Sequence, residues 1–204
     1  MSHGQSNAVE FYFDFSSPYG YLAAQEIDDL AESHGHKVVW RPILLGPIFK
    51  QTGSKPLLDI PLKGEYVQRD IARAARRIGV PFRLPQLFPF SAVGASRIFY
   101  WLVDQDEEAA CAYAKVLFRE AFEEGRDISQ PAVVSEVALR LGYMPTEVDA
   151  ALSNPELKER LRREVDIAIT RKVFGSPFFF VNGEPFWGND RLADVDLWLQ
   201  RGGW

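Results

Sequence analysis

The chain has one cysteine in 204 residues, and that scarcity removes several kinds of chemistry at once. Intrachain disulfides, Cys-x-x-Cys redox cycling and cysteine-rich metal sites all need at least two thiols. Cys111 itself lies in AACAYAKVLF, a helical apolar stretch with no cation or cap beside it, which suits a small core residue better than a reactive thiol. Histidine is nearly as scarce. His3, His34 and His36 lie in the opening segment and after the first helix, away from any carboxylate cluster at ligand spacing, so no metal site is expected. No apolar run approaches the roughly 18 residues that a membrane span needs. The opening MSHGQSNAVE lacks the basic-then-apolar pattern of a signal peptide, which points to the cytoplasm. The net charge of −5 gives no global attraction to nucleic acid or to an anionic membrane. There is no internal repeat and no low-complexity segment.

What remains is ordinary globular material, 47% hydrophobic and 25% charged, long enough for one domain carrying an insertion. Val9 to Phe15 is apolar and aromatic almost throughout, as in a strand covered on both faces. Ser17 then offers a hydroxyl as N-cap, and Pro18 suits the first helical position. Helical spacing runs on through Leu30/Ala31, and Gly35 ends that helix. Lys37 to Ile43 reads as a second strand, giving a βαβ unit. Residues 45–66, rich in Gly and Pro, read as loop with at most a short turn of helix.

Beyond that loop the chain is mostly helical. Val67, Ile71, Ala74/Ala75 and Ile78 form one stripe, and the arginines 69, 73, 76 and 77 largely avoid it, as on a solvated face. The three prolines of VPFRLPQLFPF interrupt, and helices resume near 93–103, 107–123 and 130–141. Thr146 is expected to cap a short helix, and Asn154-Pro155 to start a long one. The period then changes again. Phe178–Val181 and Glu184–Trp187 flank Asn182-Gly183, a strong hairpin signal, and Asn189 or Asp190 is expected to cap a last helix. Strands thus occur only at the two ends. The reading is an α/β fold: a thioredoxin-like sheet formed from 6–45 and 170–204, with 46–169 as an all-helical insertion.

Four segments carry a resemblance to a known family: FYFDFSSPYGYLA at 11–23, TGSKPLLDIPLKGEY at 52–66, KVFGSPFFF at 172–180 and FWGNDRL at 186–192. In that order they resemble the cysteine-free part of the disulfide-oxidase-like (DsbA-like) branch of the thioredoxin superfamily. The resemblance is to kappa-class glutathione transferases and bacterial 2-hydroxychromene-2-carboxylate isomerases, and it runs nearly end to end. Where thioredoxins carry Cys-x-x-Cys, this chain reads Ser17-Pro18-Tyr19-Gly20. The resemblance therefore implies a thiol brought from outside, glutathione, held at a helix start by Ser17 with Pro18 and Tyr19 alongside. Ser176-Pro177 matches the cis-proline site, where the Ser176 backbone would pair with the tripeptide like an added strand. Asn189 and Asp190 match positions that hold the γ-glutamyl end, and Lys63 one near the glycyl carboxylate. Ser54 stands where the family often has Asn in a Gly-Asn-Lys-Pro stretch. It is shorter and has no amide.

The implied reaction is cis–trans isomerisation of intermediates from aromatic-ring breakdown. Rotation about a conjugated C=C bond would be opened by transient thiolate addition. Lys50, Lys63 and Arg83 are candidate cations for the substrate carboxylate, and Phe88, Phe90 and Trp187 candidate aromatic walls. A kappa-like transferase or peroxidase acting on small electrophiles would share the same sulfur site. A catalytically idle binding module is a third reading, in which Ser17 only caps its helix. A homodimer is implied by the transferase relationship.

Overall fold

The strand β1 (Ala8–Phe13) owes its central place to its sequence: AVEFYF is apolar on both faces but for Glu10, and Val9, Phe11 and Phe13 are fully buried. The computed structural model describes residues 8–204; His3 and the first two residues of the segment expected to start at 6 lie outside them. After β1 come α1 (Pro18–Ala24), α2 (Ile27–Ser33) and β2 (Lys37–Pro42), which pairs parallel to β1 with Val9 opposite Val38. At the far end β3 (Phe178–Val181) pairs antiparallel to β1, with Val9 opposite Val181. A turn at Asn182-Gly183 then folds a further strand (Glu184–Trp187) back along it. This fourth strand, β4, completes a mixed sheet of order β2-β1-β3-β4. The four-stranded thioredoxin-like arrangement expected from the ends of the chain is the one observed.

The single helix expected from Ser17 to Gly35 is two. Gln25 is the cause: its side-chain Nε2 donates to Tyr21 O at 3.1 Å, the carbonyl its own N–H would take in a continuous helix. The Gln25 and Glu26 N–H groups fall back to Leu22 and Ala23, three residues away, and the helix tightens and stops. Gly35, at φ 72°, ends the second piece as expected.

The stretch read as loop also differs. It contains α3 (Leu45–Thr52), a 3₁₀ turn (Leu57–Asp59) and the start of α4 (Lys63–Ile78). No residue of α3's own makes a side-chain cap. Instead Asp14, from the turn after β1, accepts the Leu45 N–H at 2.7 Å and supplies a carboxylate at the helix start. Pro47 stands in the first turn, where a missing N–H costs nothing.

The remaining helices are α5 (Val93–Val103), α6 (Glu107–Phe122), α7 (Pro131–Arg140), α8 (Pro145–Ser153), α9 (Pro155–Thr170) and α10 (Leu192–Arg201). Asn154 caps α9 as expected, accepting from Glu156 N at 2.8 Å. Two expected caps are not made. Pro145 takes the first position of α8, so Thr146 lies inside the first turn, and Glu147 reaches back to the Met144 N–H at 3.0 Å. Neither Asn189 nor Asp190 caps α10. Both lie in a 3₁₀ turn (Asn189–Arg191) ahead of it.

The core that fixes α6 against the end of β1 is aromatic. Phe118, fully buried, has its ring centroid 5.5 Å from Phe13, 5.2 Å from Phe15 and 6.4 Å from Phe122. Burying one such side chain contributes about 1.5–3 kcal/mol, and the mutual ring geometry adds to it. This cluster sits directly behind the β1–α1 turn and holds that turn in place.

Candidate active site

The β1–α1 turn is built from its own short side chains. Asp14 Oδ1 accepts the Ser16 N–H and the Ser16 hydroxyl, each at 2.8 Å, and the Ser17 N–H bonds back to Asp14 O at 2.9 Å. Ser17, in extended backbone, then caps α1: its Oγ accepts the Gly20 N–H at 3.0 Å. The same hydroxyl donates to Ser176 O at 2.9 Å. Capping and donation are thus simultaneous, through lone pair and proton respectively.

The Ser176–Pro177 peptide bond is cis, as expected. Its loop is tied to the turn twice, by the Ser17 bond and by the Asp14 N–H donating to Ser176 Oγ at 2.9 Å. Gly20 makes this closeness feasible: a Cβ there would lie 3.0 Å from Ser176 Oγ and 3.2 Å from Ser17 Cβ. Where a second thiol would stand in a redox relative, there is only the room that Gly leaves.

Of the first N–H groups of α1, Pro18 has none, Gly20 bonds Ser17 Oγ and Tyr21 bonds Ser17 O at 3.0 Å. The Tyr19 N–H has no acceptor among the described residues. Because α1 spans seven residues, this directed donor and the Ser17 hydroxyl, rather than a long helix's macrodipole, are the polar groups offered to an anion.

These groups open into a cavity of about 740 Å³. Ser17, Pro18, Tyr19, Ser54, Lys63 and Ser176 all line it. Phe88, Phe90 and Trp187, the expected aromatic walls, line it too. Lys50 and Arg83 are not among the lining residues. Nor are Pro177, Asn189 and Asp190: the Gly188 N–H bonds Pro177 O at 3.0 Å, and the 3₁₀ turn packs on α1. Asn189 is buried, whereas the Asp190 side chain is 68% exposed and 3.5 Å from Arg191.

The lining residues not singled out from the sequence include Asp14, Lys55 and Phe174. Asp14 is 4% exposed yet reaches the cavity; its signal was a lone acid inside the aromatic run FYFDF. Lys55 adjoins Ser54 on the rim and is, with Lys63, one of two cationic side chains lining the cavity among the described residues. Phe174 stacks edge-on against Trp187 at 4.9 Å, beside the cavity mouth. Trp187 lies over Gly175, where a Cβ would meet its Nε1 at 2.2 Å.

Two titratable groups depart from ordinary behaviour here. Burial pushes the Asp14 carboxyl up, against three hydrogen bonds that favour its charged form. Burial also raises the Tyr19 phenol, as does its hydrogen bond to Asp70 at 2.7 Å. That bond joins α1 to α4. Among the described residues no group of three His, Cys, Asp or Glu side chains is arranged to hold a metal, and no helix is long and apolar enough to cross a membrane.

Comparison with known proteins agrees with this geometry. Residues 8–200 match the model of the DSBA-like thioredoxin domain. A 2-hydroxychromene-2-carboxylate isomerase from Pseudomonas putida is 35% identical over 198 residues, covering 95% of this chain and 94% of its own. A kappa-class glutathione S-transferase from Caenorhabditis elegans is 29% identical over 206 residues, covering 92% and 89%. A solved 2-hydroxychromene-2-carboxylate isomerase structure superposes with a TM-score of 0.84 at 33% identity, covering 95% of both chains. The chain belongs to the DSBA-like thioredoxin domain family, in the group that holds the 2-hydroxychromene-2-carboxylate isomerases and, more distantly, the kappa-class glutathione transferases.

Proposed function

We propose that this protein is a glutathione-dependent cis–trans isomerase of small aromatic 2-oxo acids of the hydroxybenzylidene-pyruvate type, produced when aromatic rings are degraded. The observation that carries the reading is the Ser17 cradle beside a cis-proline, opening into a cavity walled by aromatics and edged by two lysines. The 35% identity to an isomerase of this name supports it.

The residues present fit glutathione. The Tyr19 N–H is without an acceptor among the described residues, the Ser17 hydroxyl stands close before it in the same turn, and Gly20 keeps the turn uncrowded. A volume of about 740 Å³ lies within the roughly 300–1,000 Å³ of small-ligand sites, with space for a tripeptide and an aromatic acceptor side by side. Bound there, glutathione supplies a thiolate whose transient addition lowers the order of a conjugated C=C bond so that it can rotate. The protein's part is to stabilise and orient. The Ser17 hydroxyl turns from Ser176 O towards the sulfur while its lone pair keeps the Gly20 N–H. Ser176 offers its backbone N–H to the peptide in the manner of an added strand. Lys63 takes the glycyl carboxylate. Asp190, exposed on the 3₁₀ turn and not part of the cavity lining, would take the α-ammonium of a tripeptide end that extends beyond the cavity, next to the buried Asn189. Lys55 is then the cation left for the substrate's own carboxylate, and Phe88, Phe90 and Trp187 hold its ring. Pro177 fixes the Ser176 carbonyl direction, and Ser54 lines the rim in place of the more usual Asn. The same relationship supports a cytoplasmic homodimer.

A kappa-like transferase or peroxidase remains the second reading, favoured by the 29% identity to that class and by the exposed aromatic mouth at Phe174 and Trp187. Rate assays on authentic 2-hydroxychromene-2-carboxylate, with and without glutathione, run beside a chlorodinitrobenzene conjugation assay, separate the two. Glutathione-stimulated isomerisation is expected. Conjugation without isomerisation would replace the first reading by the second.

A further inference from the structure

Glutathione reaches the site as a thiol at neutral pH, since an unperturbed cysteine thiol has a pKa near about 8.5. A proton must therefore leave the sulfur, and the hydroxyl of Ser17 cannot keep it. The cavity lining holds one carboxylate among the described residues, Asp14, and it has so far been given only a structural part.

Asp14 is built unlike a simple cap. Its side chain is buried, 4% exposed, and receives the Leu45 N–H at 2.7 Å and the Ser16 N–H and hydroxyl at 2.8 Å each. No charged side chain offsets its charge: burial and these three hydrogen bonds are the influences on its titration. The groups against it are Phe13 and Phe15 on its own strand end, Leu45 of α3 and the Ser176 hydroxyl, none of them charged. The charged groups lining the same cavity are Lys55 and Lys63. The Tyr19 phenol is committed to Asp70. An unpaired buried charge costs several kcal/mol, so a carboxylate here is costly to keep ionised. A carboxylate kept ionised beside a thiolate would also raise the sulfur's pKa, against the purpose of the cradle. Both difficulties vanish if the negative charge moves rather than doubles.

We propose that Asp14 accepts glutathione's thiol proton, with Ser16 as the relay. This rests on the functional reading above. Ser16 is half-buried, lines the cavity, and points its O–H at Asp14 Oδ1, which leaves its oxygen lone pairs for the ligand side. In the step, Ser16 Oγ takes the proton from sulfur as its own proton passes to Asp14 Oδ1. A thiol and a carboxylate become a thiolate and a carboxylic acid, and the site's total charge is unchanged. The carboxyl raised by burial is suited to hold that proton, and it returns it by the same route when the thiol is re-formed.

The test counts protons. Calorimetric titration of the whole protein with glutathione at neutral pH, in buffers of different ionisation enthalpy, gives the number released on binding, while ultraviolet absorbance reports bound thiolate. The wild type is expected to show thiolate with almost no proton released. Asp14→Asn is expected to lose most of the thiolate signal and to release about one proton per thiolate still formed. Ser16→Ala leaves the carboxylate and its bond to α3 in place. It is expected to form thiolate several-fold more slowly in stopped flow, with the wild-type proton count. About one proton released per thiolate by the wild type would overturn the proposal. So would an Asp14→Asn variant with the wild-type thiolate signal and count. Thiolate forming as fast in Ser16→Ala would remove the relay. Absence of binding heat would be a different result, sinking the glutathione reading itself and this inference with it.

Discussion

Replacing Ser17 removes an oxygen that does two things, and two variants tell them apart. In Ser17→Ala the Gly20 N–H loses its acceptor at 3.0 Å and Ser176 O loses its donor at 2.9 Å. Loss of an N-cap costs about 0.5–2 kcal/mol, and at this chain length each kcal/mol lowers the melting temperature by about 2–4 °C. Ser17→Gly restores a tolerable cap, within a few tenths of a kcal/mol, but still has no hydroxyl. The effect on sulfur is separate. A hydrogen bond to a charged acceptor contributes about 1.5–3 kcal/mol, against about 1.36 kcal/mol per pKa unit. The hydroxyl must give up Ser176 O to make it, so the lower end applies, and the bound thiol's pKa should rise by about one unit in both variants. Thiolate at neutral pH, and turnover with it, then falls by up to about tenfold, the full factor applying where the pH lies below the bound thiol's pKa. Ultraviolet titration of bound glutathione reads the pKa, and calorimetry the melting temperature. Equal thiol pKa values in wild type and both variants would refute the cradle, whatever happens to stability.

Other substitutions follow from the same geometry. Lys55→Gln removes an exposed cation whose ion pair with a substrate carboxylate contributes about 0.2–1 kcal/mol, so KM for the oxo acid should rise about 1.5- to 5-fold with kcat little changed, and less at high salt; a KM insensitive to the change would take Lys55 out of the site. Phe118→Ala, at the centre of the aromatic cluster, should cost about 3–5 kcal/mol in denaturant unfolding, and a loss below about 1 kcal/mol would mean the cluster is not what secures α6. Hydrogen bonds from Arg126 and then Arg140 hold the Glu136 carboxyl at about 2, below its usual 4.5. A lowered carboxyl contributes stability that is fully present above pH 4.5 and is lost as pH falls towards 2. Glu136→Gln should flatten the stability profile in that window, and chemical denaturation at stepped pH would expose an unchanged slope.

The sheet was legible because period and composition agree there. Aromatic and β-branched runs flank a βαβ start and an Asn-Gly hairpin, and those local signals do not depend on partners far along the chain. The misread elements depend on such partners. Helix α3 starts where it does because Asp14, 31 positions earlier, takes the Leu45 N–H, and nothing near Leu45 announces it. The first helix breaks at Gln25 through a side chain that competes for one carbonyl, a choice that propensity cannot weigh. Asn189 and Asp190 carry cap-forming side chains, yet Gly188, at φ 110° and bonded to Pro177 O, turns the chain into a 3₁₀ turn first. The sulfur side of the cavity could be approached from motifs. Of the opposite side, the aromatic walls Phe88, Phe90 and Trp187 could be anticipated, but Lys55, α3 and the start of α4 lie in the very stretch taken for loop.

That division has a physical consequence for how the site can vary. The sulfur side is rigid: its turn, cis-proline loop and Gly20 are locked together by hydrogen bonds of 2.9–3.0 Å over a buried aromatic cluster. The opposite side is made by α3, the Gly53–Ile60 stretch, α4 and the Phe88–Val93 segment, with Leu57 and Ser54 exposed at its rim. Two hydrogen bonds join the sides, Asp14 to the start of α3 at 2.7 Å and Tyr19 to Asp70 of α4 at 2.7 Å. Substitutions between these two anchors can reshape that wall without moving the Ser17 turn, where the proposed reading places the sulfur. Ser54 is such a case: its side chain is exposed, and its own N–H reaches only Thr52 Oγ1 at 3.4 Å, so exchanging a longer amide for it costs the fold little and falls on the ligand. On the proposed reading, a single cradle can in this way serve isomerases and transferases alike, with the chemistry set by what the variable wall brings against the thiolate.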